Sequence, residues 1–245
     1  KMKKIVALLL ALTMVFALCA CGDTKENDTP KDGDETKEVI AFCSDVGSID
    51  DESFNQFTYA GVKAIAEENG MEEPQYYIPA EDNTEQRETN VRQAVTDGAT
   101  IIVVTGFMYG ETLTWAAEEY PDVKFIAIDV VPSDLGGTVP SNVYLIAFKE
   151  EQAGYLAGYA AVKDGFKSLG FLGGQAVPAV VRFGYGFVQG ADAAAEELQT
   201  DISIKYTYGG QFYGDANITA KMEGWYTTGT EVVFACGGSI YTSAV

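Results

Sequence analysis

The 245-residue chain carries 36 acidic residues against 16 basic ones and no histidine, for a formal charge of −20. A surplus of that sign disfavours nucleic acid, whose phosphates need clustered lysine or arginine. It also repels anionic ligands from any cleft that is not locally basic, so a neutral or cationic small molecule fits better. Without histidine or paired cysteines at ligand spacing there is no zinc pattern, and no cofactor is predicted.

Lys1, Lys3 and Lys4 precede an apolar run over 5–17, and Leu18-Cys-Ala-Cys21 closes it. A basic start, a short apolar stretch and small residues at a cleavage site predict a secretory signal over 1–20. The run is shorter than the roughly 20 residues of a spanning helix. Its ending resembles a bacterial lipobox, which implies acylation of Cys21 and a membrane anchor on the extracytoplasmic face. Residues 22–38 hold no aliphatic or aromatic side chain, so the segment 21–38 is predicted to be a solvated tether. Cys43 and Cys236 each sit in an apolar run and read as small buried hydrophobes.

Val39-Ile-Ala-Phe-Cys43 is a short apolar run that predicts a buried strand, followed by helical spacing of Phe54, Phe57, Gly61, Ala64 and Ile65 over 53–69. Between them lie Asp45, Asp50, Asp51 and Glu52. Asp50 and Asp51 read as helix-capping carboxylates. Asp45 and Phe54 are not needed to start a helix and are free to face a cleft, since ligands bind at the carboxyl ends of strands in open α/β sheets.

The alternation then repeats. Strands are predicted over 75–79, 101–105 and 124–129, with helices over 84–96 and 111–120 between them. Continuous apolar strands alternating with helices predict a doubly wound parallel α/β sheet covered on both faces. Asp129 closes its strand at the same sheet edge as Asp45. A Pro-, Gly- and Ser-rich stretch over 131–142 ends this part, and a strand over 143–148 leads into a helix from Lys149 with small residues at Ala153, Gly154, Ala157, Gly158 and Ala161. The small side chains predict close packing against a neighbour. A strand at 168–172 is followed by GGQAVPAVVRFGYGFVQG, read as a loop in which Gly173-Gly174 makes a tight turn, because the spacing fits neither the dinucleotide nor the P-loop pattern. Arg182 reads as a surface or hinge partner rather than a cleft charge. Strands at 202–208 and 231–235 complete the pattern, with the loop Gly209-Gly-Gln-Phe-Tyr-Gly-Asp215 after the first. The length suits two lobes, 39–146 and 147–245, with a hinge and an interlobe cleft.

Four stretches together resemble the basic membrane protein (BMP) family: IDDESFNQ, FKEEQAGYLAG, the Gly-Gly–Pro–Phe-x-x-Gly-Phe pattern after 168–172, and the loop at 209–215. Gln175 departs from the methionine more usual there. The family consists of substrate-binding lipoproteins of ABC importers with the type I periplasmic-binding-protein fold, several of which bind purine nucleosides. The resemblance implies that Asp129 contacts the ligand and that an aromatic of the 209–215 loop stacks on it, Phe212 first and Tyr213 second. Phe54 would stack on the other face of a flat base, Asp45 would accept ligand hydrogen bonds, and Gly238 would let the backbone approach closely. The implied partners are a nucleoside and an ABC permease. Family members run on for about another hundred residues, so the second lobe is expected to be incomplete, with an aspartate and a lysine of the family's site absent and the chain unstable or inactive alone. A sugar or autoinducer receptor of the same fold is one alternative. A secreted glycoside or nucleoside hydrolase using Asp50–Asp51 is another, opposed by the lack of histidine and of a Gly-x-Ser-x-Gly elbow. The chain is therefore expected to bind rather than catalyse.

Overall fold

Five short strands, each rich in β-branched or aromatic residues, pair in parallel. They are β1 (Ile40–Cys43), β2 (Gln75–Tyr77), β3 (Ile101–Thr105), β4 (Lys124–Ile128) and β5 (Val143–Ile146), in the order β2-β1-β3-β4-β5. The structure is a computed structural model that describes residues 37–245. The predicted signal at 1–20, Cys21 and the tether up to residue 36 lie outside the described residues.

Period-two alternation sends neighbouring strand residues to opposite faces. On one face, Ala41, Cys43, Ile102, Val104, Phe125 and Ala127 pack against Val91 and Ala94 of α2 (Thr84–Thr96) and Leu113 and Ala116 of α3 (Gly110–Glu119). On the other, Ile40, Phe42 and Val103 meet Val62 and Ala66 of α1 (Phe54–Glu68). Phe42 and Phe125 are wholly buried, each contributing about 1.5–3 kcal/mol.

A second parallel sheet, in the order β7-β6-β8, is built from β6 (Ser168–Gly173), β7 (Ser203–Tyr208) and β8 (Val232–Cys236). Leu169 and Phe171 face Val162 of α4 (Glu150–Lys163) and Phe187, Ala191 and Ala194 of α5 (Pro178–Leu198). Leu172 faces Ile218 and Met222 of α6 (Ala216–Thr227). In both sheets the chain reverses its direction of growth beside the first strand, between β1 and β3 and between β6 and β8. The crevice outside the carboxyl ends of such a pair is the binding place of open α/β sheets.

Three readings need correction. Most of the stretch after β6 read as a loop is the 21-residue helix α5, starting with Pro178 in its first turn. Its glycines lower helix propensity, but packing demands them: a Cβ on Gly186 or Gly190 would overlap the carbonyl of Glu151 or Tyr155 in α4. The reciprocal contacts from α4 are Gly154 and Gly158, where a Cβ would strike the carbonyls of Phe183 and Phe187. The small-residue face of α4 thus does pack closely, and its neighbour is α5. Gly173 and Gly174 do not serve a tight turn. Neither has a positive φ, and a Cβ would meet Tyr208 at the first and Phe212 at the second. Finally, β5 ends at Ile146 rather than Phe148, and it pairs with β4 in the first sheet.

Candidate functional site

A cavity of about 960 Å³ opens between the carboxyl ends of the two sheets. Asp45, Phe54, Asp129, Phe212 and Gly238 all line it, as does Tyr213. The fold therefore brings together every cleft residue singled out from the sequence, although they are spread over nearly two hundred positions.

The loop after β1 is held by a network centred on Asn55, which is 2% exposed. Its Nδ2 donates to Asp45 Oδ1 at 2.9 Å and to Asp51 Oδ2 at 3.0 Å, while its Oδ1 accepts from Thr105 Oγ1 at 3.0 Å. Gly47 N also donates to Asp45 Oδ1, at 2.6 Å. One amide thus ties the loop, the first turn of α1 and the end of β3, leaving Asp45 Oδ2 without a role in this network. Burial pushes the Asp45 carboxyl above its ordinary range, opposed by the bonds from Gly47 and Asn55. Asn55 was not picked out from the sequence. Its only signal is an amide in the first helical turn directly after Phe54, where a solvent-facing polar residue is equally ordinary.

Asp51 caps α1 as read, accepting from the backbone N–H groups of Ser53, Asn55 and Gln56 at 2.9, 3.2 and 3.1 Å. Asp50 does not cap; it accepts from the Ser48 hydroxyl. Glu52 takes a left-handed φ of 51°, and its Oε2 accepts from the Tyr241 hydroxyl at 2.8 Å. That bond spans the cleft, joining the β1 loop to the 3-10 turn Ile240–Ser243 after β8.

Phe212 owes its seat to glycines. A Cβ on Gly174 or Gly237 would overlap its ring, and one on Gly238 would strike its carbonyl oxygen. Gly237 and Gly238 also need positive φ, 131° and 51°, which glycine adopts freely. The close approach at Gly238 is therefore to the Phe212 backbone.

Asp129 follows β4 with φ 60°, a region in which aspartate is among the less strained residues. Its N–H donates to Ile146 O at 2.7 Å. Burial first, then the nearby Glu150 carboxylate, push its carboxyl up to about 6, opposed by Arg182. Glu150 opens α4 and is 3% exposed; Arg182 of α5 donates from Nε to its Oε2 at 2.5 Å. Arg182 thus joins the second sheet's long helix to the crossover after β5. Cys43 and Cys236 are buried free thiols, as read. Burial raises both, Cys236 to about 12. Among the described residues, no helix is long and apolar enough to cross a membrane.

Over residues 37–243 the chain matches the Bmp family, described as ABC transporter substrate-binding protein, PnrA-like. It is 27% identical over 245 residues to the "ABC transporter nucleoside-binding protein BmpA" of Lactococcus lactis subsp. cremoris, covering 98% of this chain and 66% of the relative. It is also 27% identical over 241 residues to "Basic membrane protein A1" of Borrelia garinii subsp. bavariensis, covering 97% and 65%. The chain thus spans just under two thirds of the length of these relatives. Among solved structures, an ABC transporter solute-binding protein from Conexibacter woesei aligns with a TM-score of 0.63 at 26% identity, over 84% of this chain and 67% of that one. Another from Aeropyrum pernix aligns with a TM-score of 0.71 at 23% identity, over 84% and 56%, and shares the fold. With parallel sheets, helices on both faces and a match over most of its length, the chain belongs to the Bmp family of ABC transporter substrate-binding proteins.

Proposed function

We propose that this protein is the extracytoplasmic receptor of an ABC importer, anchored through Cys21, which takes a purine nucleoside into the cleft and delivers it to a permease. What carries the reading is the chemistry of one cavity. Two aromatics, Phe54 and Phe212, and two carboxylates, Asp45 and Asp129, line it from both sheets. The rings offer a flat base two stacking partners, each stack contributing about 1–3 kcal/mol. The carboxylates accept hydrogen bonds from ribose hydroxyls or base N–H groups, and charged acceptors make the stronger bonds. Among the described residues the lining also includes Asp51 and Glu52 but no lysine or arginine. Such a wall favours a neutral, donor-rich nucleoside over its phosphorylated forms. The Lactococcus relative is named a nucleoside-binding protein, which supports this reading.

Transport function follows from closure. A ligand touching both sheets favours the closed arrangement by its differential affinity, and a permease then distinguishes closed from open. Calorimetric titration of adenosine, guanosine, inosine and ribose into the protein tests the reading. Nucleoside binding without ribose binding is expected; ribose binding alone would overturn the ligand and keep the fold.

A further inference from the structure

Asp45 sits in a closed ring of hydrogen bonds that uses one of its two carboxylate oxygens and spares the other. Its N–H donates to Thr105 Oγ1 at 3.1 Å. The Thr105 hydroxyl donates in turn to Asn55 Oδ1 at 3.0 Å, and Asn55 Nδ2 returns to Asp45 Oδ1 at 2.9 Å. Gly47 N–H supplies a second donor to that oxygen, at 2.6 Å. A carboxylate oxygen has two lone-pair sites, so Oδ1 is saturated. Among the described residues no donor meets Oδ2, and Asp45 lines the cavity.

No member of this ring can turn alone. Asn55 and Thr105 are both buried. The second amide hydrogen of Asn55 goes to Asp51 Oδ2 at 3.0 Å, so a flipped amide would set its oxygen against two negative charges. Gly47 leaves the room this needs, since a Cβ there would overlap Asn55 Nδ2. Asn55 also lines the cavity, but both of its amide hydrogens are spent within the network. Thr105 ends β3 and Asn55 lies in the first turn of α1. The carboxylate therefore takes its orientation from two rigid elements rather than from its own loop.

We propose that Asn55 and Thr105 are positioning residues that aim Asp45 Oδ2, and it alone, at the ligand, so that Asp45 reads a single donor. The proposal rests on the nucleoside reading for the identity of that ligand, but not for the fixed carboxylate. A selection rule follows. One ribose hydroxyl or one ring N–H is met fully by Oδ2. A guanidinium, an amidine or the paired N1–H and 2-amino edge of guanine needs two free oxygens side by side. At Asp45 the second arm of such a donor gains nothing.

The test combines calorimetry with guanosine and inosine, which differ by the 2-amino group, and amide hydrogen exchange followed by NMR on the ligand-free protein. Thr105→Val, which keeps the shape and removes the hydroxyl, is expected to weaken both nucleosides about tenfold. Thr105→Ser, which returns the hydroxyl, is expected to recover the affinity. In an Asp45→Asn background Thr105→Val is expected to cost nothing further, because no carboxylate is left to aim. An equal tenfold loss in that background would make Thr105 merely structural and overturn the proposal. Asp45→Asn itself is expected to weaken guanosine and inosine by the same factor. A loss about tenfold larger for guanosine would mean that both oxygens are used, and would overturn the one-donor rule. Exchange at Gly47 N–H reports on the carboxylate without any ligand, and it is expected to be about tenfold faster in Thr105→Val. Unchanged exchange there would overturn the positioning. Gly47→Ala, which displaces the Asn55 amide from the loop side, serves in the same measurements if Thr105→Val fails to fold. If neither nucleoside binds, the exchange rates still decide the positioning, and the failure belongs to the proposed ligand.

Discussion

Phe212 and Asp129 show how differently two cleft residues are held. Phe212 is seated by absence: three glycines leave room for its ring and carbonyl. Replacing it with alanine removes one stacking face, so nucleoside affinity should drop by about 1–3 kcal/mol, read by calorimetry; because the ring also packs against the core of the second sheet, the melting temperature should fall as well. Asp129 is held by burial and charge. Its folded value lies above the ordinary one, so its contribution to stability is full at low pH and is lost as pH rises through about 6. Asparagine at this position is free of that loss. Relative to wild type, Asp129→Asn should therefore gain stability between pH 4.5 and 7.5, by about 1 kcal/mol once screening of a part-exposed group is allowed for, read from thermal melts at the two pH values. An equal offset at both pH values would contradict this. Position near a strand end left both side chains open as cleft candidates, and the resemblance to the BMP family is what singled them out; their holding partners were not legible. Gly174, Gly237, Glu150 and Arg182 reach them only through space.

At the level of elements, α4 and α5 pack backbone to backbone, each helix's glycines admitting the other's carbonyls. Gly158→Ala would push α4 from α5 and should destabilise the protein by about 1–3 kcal/mol, measured by urea unfolding. Gly174→Ala makes the opposite case. Its Cβ would strike the movable Phe212 ring rather than helix backbone, so affinity should fall more than the unfolding midpoint does. The small-residue face of α4 was readable because 3.6-residue spacing is a local property. Its partner α5 was not, since Gly184, Gly186 and Gly190 depress helix propensity and only the contact with α4 and β7 explains them.

Taken whole, the protein sets two sheets with their carboxyl ends toward one cavity, and Tyr241 reaches across it to Glu52. Removing that hydroxyl with Tyr241→Phe takes away one exposed hydrogen bond between the loop after β1 and the turn after β8. A loss of about 0.5–1 kcal/mol is expected, appearing as a roughly two- to fivefold faster ligand release in stopped-flow measurements, with association little changed. The alternation of strands and helices, the two-sided burial of the first sheet and the residues at the strand ends were all determined by the sequence itself, because periodicity, apolar runs and breakers act over a few residues. Tertiary structure alone decided that Asn55 binds Asp45, Asp51 and Thr105 into one network, that 178–198 is a helix, and that Glu150 pairs with Arg182. Each of those rests on contacts between segments far apart in the chain, where the burial of a polar group or the fit of a backbone against a carbonyl outweighs local preference.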